Sequence, residues 1–434
     1  MPTRYLATFL NYEKDLSRLS SRQLHLARVR CVLSKLGSPQ KSLKAIHIAG
    51  SKGKGSTAAF IAGILQHAGY KVGLYTSPHL YDVRERFRIL DKVAQRQNLQ
   101  ASEVFPDCIS RQMFSSLIKR IRPTLESGRH HSVFGDLTYF EVLTIAAFCY
   151  FQDEKVDFVV LETGLGGRLD ATNVCSSLVA AITPISLEHT QQLGTTLRKI
   201  AAEKAGIIKR NCAVISAVQA AEVLPVIESR CRRFGIVPMI VGKDTQVKNL
   251  GDNFKIALVG RHQRVNAAVA LGVVDALRCR GFTIKPAAVR NGLAKTFWPL
   301  RFEMMSRQPM IILDAAHNPE SCQRLAETIQ EKFPKRKVNV IFGCLNDKDI
   351  QGMTRCLLPI AQQVILTRVE HPRAKVWTKQ DVQKYFFGQN VSIVQSTRKA
   401  CRIALESFDL REVIVVTGSL FVAAQARKIL GKLL

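Results

Sequence analysis

Residues 45–57, Ala-Ile-His-Ile-Ala-Gly-Ser-Lys-Gly-Lys-Gly-Ser-Thr, constrain the fold more than any other stretch. The run from Ala45 to Ala49 reads as a short buried strand, and Gly50, Gly53 and Gly55 interrupt it. A helical pattern follows at once in Ala58, Ala59, Ile61, Ala62, Ile64 and Leu65. Strand, glycine-rich turn and helix are the parts of a phosphate cradle: glycines let backbone N–H groups close on an anion, and the helix N-terminus adds its positive dipole end. Lys54 would supply a point charge to the phosphates, and Ser56 or Thr57 a hydroxyl to Mg²⁺. The spacing Gly50-x-x-Gly53-Lys54 is tighter than the usual phosphate-loop pattern, and Gly55 separates Lys54 from the hydroxyls. The alternative is an ordinary glycine turn; the strand–helix context favours the phosphate loop.

Other segments repeat the theme of an apolar strand ending in reactive side chains. Residues 1–44 are helical in pattern, with Leu16, Leu19, Leu24, Leu26 and Val29 marking apolar faces, and Gly37-Ser38-Pro39 ends them. Lys71–Ser77 predicts a second strand that stops at Pro78, so strand, helix and strand imply a parallel α/β sheet. Ligands of such sheets sit beyond the carboxyl ends of the strands. Residues 90–135 read as an irregular excursion around one helix near Asp107–Ile121. An apolar helix, Tyr139–Tyr150, opens with Thr138 and carries Glu141 at its start. The strand Val156–Glu162 runs into Thr163-Gly164-Leu165-Gly166-Gly167-Arg168-Leu169-Asp170-Ala171-Thr172-Asn173. The strand Leu178–Ile185 precedes Ser186-Leu187-Glu188-His189, and a helix Leu197–Ala205 is closed by Gly206 at its C-cap. Cys212–Ser216 is the next strand and Val259–Arg278 a further helix.

Thr296–Arg301 reads as a linker, after which strand–helix alternation restarts. Its strands are Pro309–Asp314, Val338–Phe342, Gln363–Thr367, Val391–Val394 and Glu412–Thr417. The helices include Glu320–Phe333, Thr397–Phe408 and Phe421–Leu434. The fold class is therefore α/β: a parallel-sheet ATPase domain of the P-loop type over residues 1–297 and a smaller Rossmann-like α/β domain over 298–434.

Composition narrows the function. In a chain of 434 residues with 47% apolar content, two or three domains with real cores are expected. No run is long and apolar enough for a membrane span, and the N-terminus lacks a signal-peptide core. Eleven cysteines without C-x-x-C pairs, several inside apolar runs such as Cys149 and Cys344, point to reduced thiols in a cytoplasmic protein. The net charge of +29 fits nucleic acid, an anionic surface or polyanionic small ligands. The basic residues are scattered in small groups such as Arg230/Arg232/Arg233, with no aromatic-interleaved tract, so anionic small molecules are favoured and no specific nucleic acid is expected.

The motifs resemble the folylpolyglutamate synthase/dihydrofolate synthase family, within the Mur-ligase-like ATP-dependent amide ligases. The matching stretches are His47–Thr57, Tyr75–Leu80, Thr138–Glu141, Leu161–Asn173, Ser186–His189, Glu203–Ile207, Gly260–Asn266, Trp298–Arg301, Asp314–Pro319 and Gly418–Leu420, in the family's order. The resemblance implies an ATPase-type N-terminal domain, a Rossmann-like C-terminal domain and an active site between them. It further implies ligation of L-glutamate to dihydropteroate, to reduced folates, or to both. A carboxylate is a poor electrophile, so ATP first makes an acyl phosphate, which the amine of glutamate attacks. The expected cofactors are ATP and Mg²⁺, two ions, in a monomer.

In that scheme Lys54 meets the β/γ-phosphates, and Gly50, Ser51, Lys52, Gly53, Gly55, Ser56 and Thr57 complete the cradle. The family's metal pattern falls on Ser77, Glu162 and His189, each ending a different strand. The Glu-Lys-Ala-Gly-Ile motif implies that Lys204 is carbamylated, which requires a neutral amine in a sheltered site. Gln263, Asn266 and Arg301 match adenine- and phosphate-facing positions. Asp314 and His317 are implied to contact nucleotide and organise the glutamate side, and Ser419 to act likewise. Lys54, Lys204 and His317 are thus the expected catalytic residues. For the pterin substrate, Phe140 offers a stacking face (or simple core packing) and Asp170 a hydrogen-bonding carboxylate, while Arg84 and Arg86 could meet carboxylates of the folate tail.

Four positions depart from the family's pattern. Lys52 replaces an Asn, Glu188 an Asp, and Leu300 and Ala315 each a Gly. None removes a group the chemistry needs, though the last two add bulk at backbone turns beside Arg301 and Asp314. The competing readings are a peptidoglycan-type Mur ligase, against which the Leu-Gly-Gly-Arg-Leu-Asp-Ala-Thr-Asn run speaks, and a basic P-loop nucleic-acid-binding protein, which leaves Ser77, Glu162, His189 and Lys204 unexplained.

Overall fold

Short apolar runs, too short for core helices, become interior strands. In the first half these are β1 (Ala45–Ala49), β2 (Val72–Tyr75), β3 (Arg88–Leu90), β4 (Phe158–Glu162), β5 (Ser177–Ile182), β6 (Ala213–Ser216) and β7 (Met239–Ile240). They form one seven-stranded sheet in the order β3-β2-β4-β1-β5-β6-β7, and only β3 runs antiparallel to its neighbour. Every residue of β1, β2 and β4 is buried, as expected of parallel strands covered on both faces. The computed structural model describes residues 2–13, 25–91, 105–131, 135–242, 254–407, 409 and 411–434. Leu16, Leu19 and Leu24, expected on helical faces, lie outside the described residues, as do 92–104 and 132–134 of the expected excursion.

The chain divides into two compact units. The first takes the described residues of Met1–Gln95, Asp107–Ala257 and Gln263–Thr296; the second takes those of Arg96–Pro106, Leu258–His262 and Phe297–Leu434. In the first unit, the helix Lys54–His67 leaves β1 through the glycine turn, is buried from Ser56 to Leu65, and returns to β2. The helix Tyr139–Asp153 opens on a capping box in which Thr138 and Glu141 satisfy each other's backbone amides. Glu141 also takes the Arg28 guanidinium at 2.8 Å, so this buried carboxylate is fully used. The helix expected at Asp107–Ile121 runs from Arg111 to Ser127 instead. Ser110 is its N-cap, while Asp107 is drawn away to Arg88 by two 2.8 Å hydrogen bonds.

The helix Leu197–Ala205 ends at Gly206, as expected, but for a different reason. Gly206 is right-handed, with φ −60°, so no left-handed cap requires it. A Cβ there would lie 2.4 Å from Arg168 Cβ and 2.5 Å from Arg168 Cα. The glycine permits the loop after β4 to lie against the helix end.

The second unit holds β8 (Glu303–Arg307), β9 (Met310–Leu313), β10 (Lys337–Phe342), β11 (Ala361–Leu366), β12 (Val391–Ile393) and β13 (Glu412–Thr417). They pair in the order β8-β9-β13-β10-β11-β12, parallel except for the antiparallel β8–β9 hairpin. Helices Pro319–Lys332, Thr397–Glu406 and Leu420–Leu433 connect or follow the strands. Among the described residues no helix is long and apolar enough to cross a membrane. Cys149 and Cys344 are buried free thiols, each pushed up to about 12 by burial.

Candidate active site

The turn after β1 is held by its neighbours rather than by itself. Ser51 and Lys52 donate their amides to Pro184 O at 3.0 and 3.2 Å, and Ser51 Oγ donates to Ser186 O at 2.9 Å. Gly50 has φ +155°, and a Cβ there would stand 1.8 Å from Thr183 Oγ1. Gly53, with φ +84°, is the N-cap of the helix Lys54–His67, and a Cβ would lie 2.1 Å from Asn266 Oδ1. Both close approaches and the left-handed φ at Gly53 demand glycine. Asn266 is in turn oriented by its amide, which donates to Gln263 Oε1 at 2.9 Å, and both side chains are buried. The expected adenine-side pair therefore packs on the phosphate loop.

Two lysines converge on one carbonyl of this loop. Lys54 Nζ donates to Gly50 O at 3.0 Å and Lys204 Nζ to the same oxygen at 2.8 Å. Lys204 is buried at 1% exposure and also pairs with Glu188 at 2.8 Å. Burial, aided by the nearby Lys54 and Lys52 charges, pushes its amine down to about 8 against the opposing pull of Glu188. Glu188 shows the reverse: burial pushes its carboxyl up, but Lys54 and Lys204 outweigh that and hold it below the usual range. A sequence-level departure, glutamate for aspartate, is thus the counter-ion of the buried lysine.

The expected metal residues close or follow strands of one sheet. Ser77 follows β2, Glu162 closes β4 and His189 follows β5, with the phosphate loop after β1 in the middle of that order. Glu162 is buried and accepts the Ser77 amide at 3.3 Å. His189 is exposed in a left-handed conformation, φ +46°, at the N-cap of the short helix Thr190–Leu193. Among the described residues no three His, Cys, Asp or Glu side chains are grouped as a metal site by themselves. Hydroxyls complete the donor set: Thr57 Oγ1, Thr163 Oγ1 and Ser186 Oγ are buried with no hydrogen-bond partner. Buried hydroxyls without partners at the ends of these strands are of the oxygen-donor type that Mg²⁺ and its water shell take.

The residues expected at the pterin and folate tail fare differently. Phe140 is half-buried and lies so close to Gly164 that a Cβ there would stand 2.6 Å from its ring; Tyr75 is a tilted neighbour at 6.0 Å. Arg84 is bound to Asp82 at 2.9 Å. Arg86 is fully buried, clamps Glu13 through two hydrogen bonds of 2.7 and 2.6 Å, and donates Nε to His79. Its guanidinium is thus paired within the protein. Asp170 is satisfied from within as well. It is buried and accepts the amides of Gly164, Leu165 and Thr172 at 2.8, 2.9 and 3.0 Å, plus the Thr172 hydroxyl at 2.5 Å. It therefore shapes the loop after β4 from within.

That loop is tied to β1 by a residue whose role the sequence did not disclose. His47 is wholly buried, and its Nε2 lies 2.7 Å from Thr172 Oγ1. Since Thr172 Oγ1 gives its proton to Asp170, His47 Nε2 must be the donor to Thr172. Burial, with some help from Lys209, pushes the imidazole down to about 3, so it is neutral at working pH. A histidine inside an apolar strand run was the available signal. His47→Gln, which keeps a donor near the Nε2 position, is expected to hold activity within about threefold, whereas His47→Leu leaves Thr172 short of one hydrogen bond and costs about 1–3 kcal/mol in urea unfolding.

In the second unit, Asp314 follows β9, is half-buried, and accepts the Phe302 and Ala316 amides at 2.8 Å each. Arg301 is half-buried and donates to Leu300 O at 3.0 Å. His317 places Nδ1 2.9 Å from Ala315 O. Ser419 caps the last helix. It is buried, donates to Gly343 O at 2.9 Å and accepts the Val422 amide at the start of the last helix.

Residues 300–420 match the family described as Mur ligase, glutamate ligase domain. The chain is 34% identical to the dihydrofolate synthase/folylpolyglutamate synthase of Bacillus subtilis over 422 residues, covering 93% of this chain and 94% of the relative. Three solved structures share its fold over nearly their whole length. A Mycobacterium tuberculosis folylpolyglutamate synthase complexed with ADP and AMPPCP is 31% identical with a TM-score of 0.81, covering 94% and 96% of the two chains. Escherichia coli FolC in complex with DHPP and ADP is 29% identical at 0.79, covering 99% and 98%. A bifunctional Yersinia pestis enzyme complexed with AMPPNP and Mn ion is 30% identical at 0.78, covering 94% and 93%.

Proposed function

The chain belongs to the dihydrofolate synthase/folylpolyglutamate synthase family, and on that premise we propose that it is an ATP- and Mg²⁺-dependent ligase joining L-glutamate to dihydropteroate, to reduced folates, or to both. The observation that carries the reading is the convergence at one sheet edge of the phosphate loop, Lys54, Lys204, Ser77 and Glu162. The full-length likeness to folate ligases displaces the peptidoglycan and nucleic-acid readings.

The reaction begins with a carboxylate oxygen of the folate acceptor attacking the γ-phosphorus of ATP, with ADP leaving. The glutamate amine then attacks the acyl carbon, phosphate leaves, and an amide bond remains. Lys54 holds negative charge on the transferring group, as an ammonium fixed beside a glycine turn can. Glu162, Ser77, His189 and the partnerless Thr57 hydroxyl would hold Mg²⁺, which neutralises phosphate charge when bound. Gln263 and Asn266 serve the adenine side. Arg301 serves the phosphates, and Asp314 and His317 the nucleotide and glutamate side.

Lys204 is the residue to carry a carbamate. Its neutral amine attacks the carbon of CO₂, loses a proton, and becomes an anion that takes over from Glu188 as an oxygen donor. The folded-state amine lies near 8, below the unfolded 10.5, so the neutral form grows as pH rises through about 8. Between those two values the unfolded chain holds more protons, so this group's contribution to stability also rises with pH there. Carbamate incorporation from ¹³C-bicarbonate, read by NMR, should therefore climb steeply between pH 7 and 9 and vanish in Lys204→Met. A pH-independent signal, or none, would remove the carbamate.

The function itself is tested with purified protein, Mg-ATP, glutamate and either dihydropteroate or tetrahydrofolate. ADP release dependent on both acceptor and glutamate is expected, and the two acceptors assayed apart distinguish the two activities. Absence of acceptor-dependent ADP release with either would overturn the proposal.

A further inference from the structure

Arg301 sits in an unusual stretch of backbone. The residues on either side of it, Leu300 and Phe302, both have left-handed φ values, +57° and +48°. For residues with a Cβ each such conformation costs about 1–2 kcal/mol, and Leu300 is buried as well. Strained backbone of this kind persists only where its surroundings over-determine it.

Two carboxylates do so here. Asp314 Oδ2 accepts the Phe302 amide at 2.8 Å, and Glu303 Oε2 accepts the Leu300 amide at 3.0 Å. The Leu300 carbonyl is taken by the Ala315 amide at 3.0 Å. Glu303 is itself fixed from the last helix, where Arg427 Nε donates to both of its oxygens at 2.9 and 3.2 Å. Both side chains of that pair are less than a tenth exposed. Arg427 also faces the ring of Phe297 at 5.9 Å, at the start of the same segment. No step described above uses Glu303 or Arg427.

We propose that Glu303 and Arg427 are positioning residues that hold Arg301 in its phosphate-directed backbone conformation from one side, as Asp314 does from the other. The inference rests on the proposed role of Arg301 at the transferring phosphate. Glu303 orients the peptide before Arg301, and Arg427 fixes the carboxylate in the rotamer that can reach it. Without the pair, Leu300 can relax toward right-handed φ, and the guanidinium swings with it. Displacements of about 1 Å at such a group cost up to about 10²-fold in rate.

The test is a double-mutant cycle in the full chain, read as kcat and ATP KM. Arg301→Ala is expected to lower kcat/KM for ATP by about 10²–10³-fold, and Glu303→Ala by about tenfold or more. In the Arg301→Ala background, Glu303→Ala should cost less than about twofold, because its effect passes through Arg301. Arg427→Met should follow Glu303→Ala, and Arg427→Lys should recover part of the loss. Glu303→Gln, which retains an acceptor for the Leu300 amide, is the variant to use if alanine fails to fold, and the same cycle applies to it. Multiplicative losses, or wild-type kinetics for the Glu303 and Arg427 variants, would overturn the positioning role. Wild-type kinetics for Arg301→Ala would instead overturn the phosphate role of Arg301 on which it rests.

Discussion

Lys54→Ala abolishes acceptor-dependent ADP release, lowering kcat by about 10³-fold or more, while the protein keeps its fold. The rate loss follows from removing a fixed cation beside the charge that moves, where a single preorganised donor is worth about 10²–10³-fold and a full charge more. The stability expectation follows from the local structure. Lys54 is the first residue of the helix Lys54–His67, and its ammonium makes one hydrogen bond, to Gly50 O. A cation at a helix N-terminus opposes the dipole, and it stands near Lys204 and Lys52. Alanine is also the better helix former. Against these stands the attraction of Lys54 for the Glu188 carboxylate, so the variant should melt close to the wild-type temperature. Near-normal turnover would refute the assignment, and a large fall in melting temperature would show that Lys54 is structural.

Glu162→Gln should cost nearly as much, about 10²–10³-fold in kcat, with a raised requirement for Mg²⁺. Glutamine keeps the shape of the side chain and an oxygen for the Ser77 amide, which Glu162 accepts at 3.3 Å. What it removes is the negative charge at the end of a fully buried strand. Taking a carboxylate out of water is costly unless a cation or hydrogen bonds offset it. The variant should keep its fold, so that the loss of rate is read in a folded protein. If Glu162 instead served only the local packing of Ser77, glutamine would preserve the rate and the Mg²⁺ titration alike, and the metal assignment would fall.

The features legible in the sequence were those whose cause is local. The turn Gly50–Thr57 needs glycines at fixed places, the apolar runs of β1, β4 and β13 are buried throughout, and the helix Leu197–Ala205 starts at its own N-cap, Thr196. Edge elements were missed because little hydrophobic pattern is needed to make them. The strands Arg88–Leu90 and Met239–Ile240 have three and two residues, and Glu303–Arg307 is half-exposed and mostly polar. Side-chain partners were not legible where they are remote. Glu13, which faces Arg86, is 73 residues away. The amides that Asp170 accepts come from a loop that folds back over it. The same remoteness hid His47 with Thr172 and Lys204 with Glu188, 125 and 16 residues apart. Leu300 is the instructive departure. Its bulk counted against the expected assignment of Arg301, whereas the left-handed backbone at Leu300 and Phe302 is held by Glu303 and Asp314.

Of all measurements, transfer of isotope from acceptor to phosphate tests the account most directly. The folate acceptor would be labelled with ¹⁸O in its reacting carboxylate and turned over with Mg-ATP and glutamate, and the released phosphate analysed by mass spectrometry. An acyl phosphate requires one labelled oxygen in each phosphate formed, because that oxygen leaves with the phosphorus when glutamate attacks the acyl carbon. Phosphate released without label, while amide product accumulates, would contradict the mechanism.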